Sequence, residues 1–517
     1  MDTPVKEINK WIITLTVMLP TIMEIVDTSV ANVALPHMQG SLNAGTDEVT
    51  WVLTSYMVSN AVVLPMTGWL ARIFGRKRFL ITCITLFTLA SLLCGAAPNL
   101  PALIFFRILQ GAAGGALIPS SQAILLETFP PHERGMANAI FGIGAMFGPI
   151  IGPALGGWIT DNLNWRWIFY INIPIGIIAV IMANYFIFDP PYLRRAKASI
   201  DWWGLSMLII GLGALQIVLD KGQQDDWFNS SFIITCAILS AAALLALVYI
   251  ELKHEHPVIN LRLFQNVSFS AGNFVLFMIG FGLYGSIVLL PLFLQTLMGY
   301  DATLAGMVLA PGGVATLITM PFVGVIISKY DGRKVVLAGL IISAWAMFQM
   351  RGFTLEAGYW DFVWPRVILG VGLAMLFVPL STLTLGSIPK EEMGNATGLY
   401  NLLRTVGGSV GIAVCATLLS RYHQFYQNVL VDSVSPYNPV ARQQLEQLKQ
   451  GFMLRGIDAV SADKASLAAI YGIVQRQAGM LAYNHIFWIV GLTFLGVMPF
   501  LLLLKRQKTA ADSEGVH

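Results

Sequence analysis

Fourteen long apolar segments constrain this chain more than any other feature of its sequence. A helix needs about 20 mostly apolar residues to cross the hydrocarbon core of a bilayer. Because no water reaches that core, each spanning segment must satisfy its own backbone hydrogen bonds, as a helix does. The sequence therefore predicts an all-α polytopic membrane protein. The predicted spans are 11–35, 49–70, 79–97, 101–125, 136–160, 167–188, 203–220, 231–251, 269–295, 303–327, 334–354, 362–386, 396–420 and 484–504.

The composition supports this class and excludes others. Hydrophobic residues make up 56% of the 517 residues and charged residues only 11%, whereas a soluble globular domain has about 25% charged residues. The four cysteines fall in apolar runs without metal-ligand spacing, which is typical of small packing residues. No phosphate-binding loop or catalytic constellation is visible. We therefore predict a protein surrounded by membrane lipids, with no enzyme activity, cofactor, metal site or nucleic-acid partner.

The distribution of Lys and Arg predicts the orientation. If the N-terminus is inside, the inner segments hold nineteen Lys and Arg residues. The short outer loops then hold only Arg166, Lys221 and Arg351. Basic residues concentrate in short cytoplasmic loops. Both termini are therefore predicted to lie in the cytoplasm, which requires an even number of spans.

An internal repeat divides the chain. The segment Arg107–Gly111 (Arg-Ile-Leu-Gln-Gly) is echoed by Arg366–Gly370 (Arg-Val-Ile-Leu-Gly), about half the chain later. Two halves with the same topology are typical of parallel repeats about an axis along the membrane normal. Six spans in each half leave two extra. We predict six-helix bundles at 1–198 and 263–517, with two inserted helices at 199–262.

One outer segment, 421–483, is long and polar. It includes helix-forming stretches such as 441–449. A loop of this length with helices of its own is usually functional or disordered. Two interpretations stay open: a docking surface for an extracytoplasmic partner, or a solvated cap that packs on its own helices.

Two carboxylates, Glu24 and Asp27, lie in the first predicted span. A charge at that depth costs roughly 2.5–3.5 kcal/mol on insertion scales. Residues three apart share one face of a helix, so both side chains are predicted to face a wet cavity. We interpret them as a proton or cation site in a transporter. The alternative is a buried carboxylate pair held neutral by hydrogen bonds for packing.

Buried basic and amide side chains complete the predicted site. Arg107 cannot lose its proton, so it needs an anionic or carbonyl partner, and Asp27 or Glu24 is the candidate. A carboxylate between arginine and an apolar environment can change protonation when the geometry changes. The alternative is a structural ion pair. Two roles are open for Arg404: it is predicted either to contact an anionic substrate or only to hold the repeats together. The predicted substrate-cavity residues are Asn32, Gln110, Asn401 and Arg404.

The inner loop between spans two and three carries a glycine-rich basic motif at 68–78. It resembles the signature loop of the major facilitator superfamily. That signature usually has Asp where this chain has Arg72, which departs from the family's charge-relay gate. By resemblance, the inner-loop gate residues are Gly68, Arg72, Gly75 and Arg76. The alternative is that the basic cluster only fixes the topology.

Glycines repeat every four residues in the fifth predicted span. Such a stripe lets helices approach closely, and ordinary tight packing would explain it. The run 148–157 also resembles the antiporter signature of the same superfamily, which implies that substrate and counter-ion move in opposite directions. The motif residues are Gly148, Pro149, Gly152, Pro153, Gly156 and Gly157.

The segment 26–36 (Val-Asp-Thr-Ser-Val-Ala-Asn-Val-Ala-Leu-Pro) is more specific. It resembles the first-span motif of the fourteen-span drug:proton antiporters, the EmrB/QacA (DHA2) group, and the resemblance covers essentially the whole chain. Relatives tend to have an uncharged polar residue at the position of Glu24.

That resemblance implies the major facilitator fold, in which two six-helix bundles rock about a central cavity. It implies proton-driven export of lipophilic toxic compounds across the inner membrane of Gram-negative bacteria. It also implies an EmrA-like periplasmic adaptor and a TolC-like outer-membrane channel as partners. The alternative function is a facilitator or proton symporter for a small metabolite.

Overall fold

The computed structural model describes residues 9–130, 133–189, 201–254, 257–435 and 437–505, and for residues 46, 149, 150, 153, 302 and 328 it describes the backbone alone. The regular structure in these ranges is helical. The first half holds α1 (Lys10–Ser41), α2 (Thr46–Val49), α3 (Trp51–Val63), α4 (Thr67–Phe74), α5 (Arg76–Gly95), α6 (Leu100–Gly114), α7 (Leu117–Thr128), α8 (Arg134–Asn162), α9 (Trp167–Tyr170) and α10 (Asn172–Phe186).

Two helices then precede the second half, as the insertion prediction requires. These are α11 (Trp202–Lys221) and α12 (Ser231–Lys253). The predicted boundary between 198 and 199 lies outside the described residues, so the domain division stays a prediction. The second half holds α13 (Val267–Thr296), α14 (Ala302–Lys329), α15 (Gly332–Met350), α16 (Tyr359–Leu385), α17 (Met393–Val431), α18 (Pro439–Leu454) and α19 (Ala459–Gly496).

Local sequence explains where several helices begin. Asn or Asp stands at the N-cap and accepts a hydrogen bond from a backbone N–H of the first turn, which satisfies a donor that the helix leaves unpaired. These caps fix the helical register, and therefore the face on which each inward side chain lies. They include Asn9 on α1, Asn99 on α6, Asp201 on α11, Asp301 on α14 and Asp458 on α19.

The helices agree with the predicted multi-pass membrane class. Thirteen helical segments of the described chain are long and apolar enough to cross a membrane. The remaining predicted span, 136–160, coincides with α8, whose 29 residues are also sufficient in length. The short glycine-rich span at 203–220 is the continuous helix α11. The observed helices are therefore compatible with the predicted fourteen spans.

The prediction of a loop at 421–483 needs correction. Helix α17 continues to Val431 and α19 begins at Ala459, so both spanning helices extend far into the predicted loop. The helix expected at 441–449 is confirmed as α18. A helix of 39 residues is about 58 Å long, roughly twice the 30 Å hydrocarbon core. The polar residues that ended the apolar runs are good helix formers, so polarity marked the membrane boundary rather than the end of the helix.

Both halves use the same packing scheme. In the first half α1 packs on α8, α3 on α6, and α5 on α6 and α10. In the second half α13 packs on α17, α14 on α16, and α15 on α16 and α19. The repeat seen in the sequence therefore corresponds to a repeat in helix pairing.

The halves meet mainly at the inner end of the bundle, which we define as the end where α1 begins. There α8 crosses α14, with the backbones close at Gly135 and Gly324. Beside this crossing, Asn138 of α8 donates a hydrogen bond to Thr382 of α16 (2.9 Å). At the outer end α11 links the halves, because its Asp220 accepts from Thr54 of α3 and its Gln216 donates to Ser409 of α17 (2.8 Å).

Candidate functional site

Asp27 lies at the centre of a buried polar cluster inside the first half. Its Oδ2 accepts from Arg107 Nη1 at 2.8 Å, and its Oδ1 accepts from Gln110 Nε2 at 2.9 Å and from Asn172 Nδ2 at 2.7 Å. Ser91 accepts from both amides, at 3.1 and 2.8 Å. Four helices, α1, α5, α6 and α10, thus converge on one carboxylate.

Arg107 is held at several points besides the carboxylate. Residues 107 and 110 lie one helical turn apart, so Arg107 Nη1 also donates to Gln110 Oε1 at 2.7 Å. Its Nε donates to Val52 O at 3.2 Å, and its guanidinium lies 4.1 Å from the centre of the Tyr56 ring. Arg107 is 0% exposed. Removing one partner of such a pair costs about 3–5 kcal/mol, because the other charge stays buried.

Glu24 occupies a different environment, one turn earlier on α1. Its Oε1 accepts from Asn60 Nδ2 at 2.8 Å, while its buried Oε2 has no hydrogen-bond partner. Arg404 of α17, in the second half, exerts a weaker electrostatic attraction on this carboxylate without contacting it. The structure therefore separates the two carboxylates: Asp27 is paired within its own bundle, and Glu24 lies opposite a cation of the other bundle.

The glycine stripe of α8 packs on the stretch of α1 that carries both acids. A Cβ at Gly148 would come within 2.9 Å of the backbone of Ile25. Gly152 packs against Ser29 and Gly156 against Val30, whereas a Cβ at Gly157 would meet nothing within 4 Å. Three of the four predicted motif glycines thus set the distance between α1 and α8. The side chains of Pro149 and Pro153 lie outside the described residues.

The predicted gate residues lie where the halves meet at the inner end. Gly68 packs directly against Asn395, with Gly394 carbonyl carbon 2.6 Å from a Cβ placed on it. Arg72 forms an ion pair with Glu392 of the second half at 3.6 Å. Gly75 has φ +84°, which favours glycine at this turn. Arg76 pairs with Glu127 inside the first half.

The four predicted substrate-cavity residues are not brought together. Gln110 belongs to the Asp27 cluster. Asn401 is fully buried and donates to Gln122 Oε1 at 2.8 Å, which joins the two halves. Asn32 is exposed and donates to Thr28 O of its own helix. Arg404 is half-buried, with Nε unpaired.

Several residues of the site escaped the sequence analysis. Asn172 and Ser91 bind the Asp27 cluster, and Asn60 binds Glu24. Asn172 and Ser91 are isolated polar residues within apolar runs, and Asn60 directly follows a serine in another. A polar residue in such a run is itself a signal for an inward-facing position in a membrane span. The signal is weak for Ser, since its hydroxyl can bond the preceding turn of its own helix. Among the described residues, no group of three or more His, Cys, Asp or Glu is placed to hold a metal.

Comparison with known proteins places this architecture in a family. Residues 17–412 match the family model described as Major Facilitator Superfamily. The chain is 37% identical over 496 residues to the multidrug export protein EmrB of Haemophilus influenzae, covering 96% of this chain and 95% of that protein. It is 36% identical over 507 residues to the multidrug export protein EmrB of Escherichia coli K12, covering 98% and 97%.

A solved structure supports the fold. The proton:xylose symporter XylE bound to 6-bromo-6-deoxy-D-glucose superimposes with a TM-score of 0.60 at 14% identity, covering 98% of each chain. Identity at this level supports the fold and nothing finer. Two six-helix bundles with matched helix pairing, a buried carboxylate–arginine cluster and a family match over most of the chain lead to one conclusion: this chain belongs to the major facilitator superfamily.

Proposed function

We propose that this protein is a drug:proton antiporter that exports lipophilic toxic compounds across the inner membrane of a bacterium. The observation that carries the proposal is the enclosure of Asp27 by Arg107, Gln110 and Asn172 on the helix that packs along the α8 stripe. Two EmrB relatives named as multidrug export proteins support the substrate class. We further propose that the chain has no enzyme activity.

Asp27 is the proposed coupling residue. When it is ionised, it pairs with Arg107 and holds α1 against α6 and α10. A proton bound at Asp27 removes the charge that Arg107 requires, which weakens this contact. The buried guanidinium then favours a different arrangement of α1. Because α1 and α8 pack backbone to backbone at Gly148, the two helices move together, and α8 transmits the shift to its crossing with α14.

Glu24 and Arg404 are the proposed substrate-facing charges. The unpaired Oε2 of Glu24 is available to a proton or to a cationic group of a drug. Arg404 attracts Glu24 from the other half, so their interaction changes as the bundles rock. This arrangement supports a carboxylate that exchanges a proton for substrate at the interface between halves.

The inner-end contacts are the proposed gate. Opening this end requires the pair between Arg72 and Glu392 to separate, together with the contact between Gly68 and Asn395. Inward proton flow supplies ~1.4 kcal/mol per pH unit plus ~2.3 kcal/mol per 100 mV. A half-exposed ion pair is worth about 1 kcal/mol or less, so one proton suffices to break it.

The test of the proposed function is the direction of proton movement relative to drug movement across a membrane. The purified protein is reconstituted into proteoliposomes that are loaded with a lipophilic cation or a neutral lipophilic drug. It should move protons in the direction opposite to the drug. A pH-sensitive dye inside the vesicles reports the proton, and drug fluorescence reports the substrate. Proton movement in the same direction as the drug would show a symporter. Drug movement that ignores an imposed pH gradient would show a facilitator.

We propose that the outer ends of α17 and α19, together with α18, dock a periplasmic adaptor that leads to an outer-membrane channel. The outward extension is rigid rather than loop-like, because α18 packs on α19 and Lys449 pairs with Asp463 at 3.2 Å. Large apolar side chains are exposed there, including Tyr437 (95%) and Leu454 (89%). Contiguous exposed apolar patches mark interaction sites, and these side chains are proposed to contribute to one when the adaptor docks.

Replacing residues 439–454 with a short Gly-Ser linker should lower drug resistance in cells at least tenfold. The same variant should transport at the wild-type rate in proteoliposomes, because α18 lies beyond the spanning part of α17. Resistance assays and vesicle assays on one preparation check both statements. The control is Lys449→Ala, which removes only the ion pair to Asp463. Equal losses in both assays would contradict the docking role, and so would unchanged resistance.

A further inference from the structure

The second half contains a buried arginine for which the described residues supply no counter-charge. Arg366 lies on α16 and is 9% exposed. Its Nε and Nη1 have no hydrogen-bond acceptor among the described residues, and no carboxylate of those residues forms an ion pair with it. A guanidinium stays protonated in a protein, so this is a buried positive charge without a counter-charge.

The repeat supplies an internal comparison with Arg107. Both arginines lie four residues before a glycine that packs against the neighbouring helix. A Cβ at Gly111 would strike the carbonyl oxygen of Tyr56 in α3, and a Cβ at Gly370 would strike the carbonyl oxygen of Gly312 in α14. Tyr56 and Gly312 are therefore equivalent positions in the two halves.

The two arginines differ in what covers them. In the first half the Tyr56 ring covers the guanidinium, Asp27 neutralises it, and Arg107 is 0% exposed. In the second half the equivalent of that tyrosine is a glycine. A Cβ at Gly312 would lie 2.8 Å from Cγ of Arg366, so the arginine stem runs through the space that a side chain would need. Within the described part of the chain, the second arginine has neither the aromatic cover nor the acid.

We propose that Arg366 is the centre of a binding site for an oxyanion carried by an amphiphile, a carboxylate or a phosphate on a hydrocarbon chain. The planar guanidinium matches the geometry of either group with two parallel hydrogen bonds. The residue lies seven positions inside the outer end of α16, a depth of about 10 Å. The neighbouring Trp360 (64% exposed) and Trp364 (60%) are typical of the membrane interface, where an amphiphile places its polar group.

A structural role and a binding role predict opposite effects of removing the charge. If Arg366 stabilises the fold, Arg366→Gln lowers the melting temperature. If its charge awaits a ligand, the substitution relieves an unpaired buried cation, and the melting temperature stays equal or rises in the absence of the anion. Arg107→Gln should lower it strongly in the same assay, because Asp27 would lose its partner.

The binding test uses full-length protein in nanodiscs of neutral phosphatidylcholine. Dodecanoate should raise the melting temperature of the wild type, whereas dodecanol, which has the same chain without the charge, should not. Arg366→Gln should bind dodecanoate at least about tenfold more weakly. The control Arg351→Gln, which removes an exposed arginine at the outer end, should bind as the wild type does. If dodecanoate and dodecanol raise the melting temperature of the wild type equally, the proposed site is refuted, and this outcome needs no variant. Equal dodecanoate binding by wild type and Arg366→Gln would also overturn it.

A second arm distinguishes the sources of the anion. In nanodiscs that contain phosphatidylglycerol, the lipid itself is able to stabilise the wild type. A melting temperature that rises only when Arg366 is present, together with loss of dodecanoate binding, identifies a lipid headgroup as the ligand. If dodecanoate raises the melting temperature equally with and without phosphatidylglycerol, the ligand is a free amphiphilic acid. The readout is binding, so it does not depend on whether the protein exchanges protons for drugs.

Discussion

Asp27→Asn should abolish drug export driven by a pH gradient, with a loss of at least about 100-fold in proteoliposomes. An asparagine keeps the size of the side chain and can still bond Gln110 and Asn172, but it cannot bind or release a proton at neutral pH. It also leaves Arg107 without a counter-charge, and an uncompensated buried charge costs about 3–5 kcal/mol. If that cost falls on the conformation that carries out transport, it lowers the transport rate by a factor of about 100 or more. The measurement is drug uptake into inverted vesicles under an imposed gradient, normalised to the amount of inserted protein.

The matched control is Asp47→Asn, which neutralises an exposed aspartate at the outer end of the same bundle. It should transport normally. Insertion of both variants is checked by size-exclusion chromatography, so that loss of transport is separated from loss of folding. Wild-type transport by Asp27→Asn under the imposed gradient would refute the coupling role, and the export function would then depend on family membership alone.

Gly148→Ala should slow export at least tenfold and lower the free energy of unfolding by about 1–3 kcal/mol. The new Cβ would lie 2.9 Å from the backbone carbon and oxygen of Ile25, which cannot move as a flexible side chain can. Helix α1 must therefore shift away from α8, and the shift carries Glu24 and Asp27 with it. Drug transport and proton leak in proteoliposomes, with thermal unfolding of the same preparation, measure the effect.

Gly157→Ala is the control for this substitution. It adds the same methyl group to the same helix nine residues later, where a Cβ meets nothing within 4 Å. It should leave transport and stability unchanged or raise stability slightly, since alanine is the better helix former. If Gly148→Ala and Gly157→Ala behave alike, the stripe is not what couples α1 to α8.

The apolar runs alone predicted most of the architecture. Each span position follows from an apolar run long enough to cross the hydrocarbon core, and the length of that run can be read from each segment separately. The echo of 107–111 in 366–370 predicted the two-bundle organisation in the same local way. The extent of α17 and α19 was missed, because hydropathy reports where the lipid ends and helix propensity decides where the helix ends.

The sequence also pointed to the acid at Asp27 and to Arg107, because a buried charge in a membrane span requires a partner. It could not say which of the two acids takes the arginine. Glu24 and Asp27 are three residues apart and equivalent by pattern. Only the tertiary arrangement of the helices brings Arg107 within hydrogen-bond distance of Asp27 and leaves Glu24 on the side of Arg404.

By itself, the sequence determined which segments enter the membrane, how they repeat, and which charged side chains must find a partner there. The tertiary structure decided which partner each charge received: Asp27 is enclosed by its own bundle, Glu24 is left opposite the other bundle, and Arg366 has no acid among the residues that the structure describes. The physical reason is that hydrophobic burial depends on the local run of residues, whereas a hydrogen bond or ion pair depends on the distance between helices that are far apart along the chain.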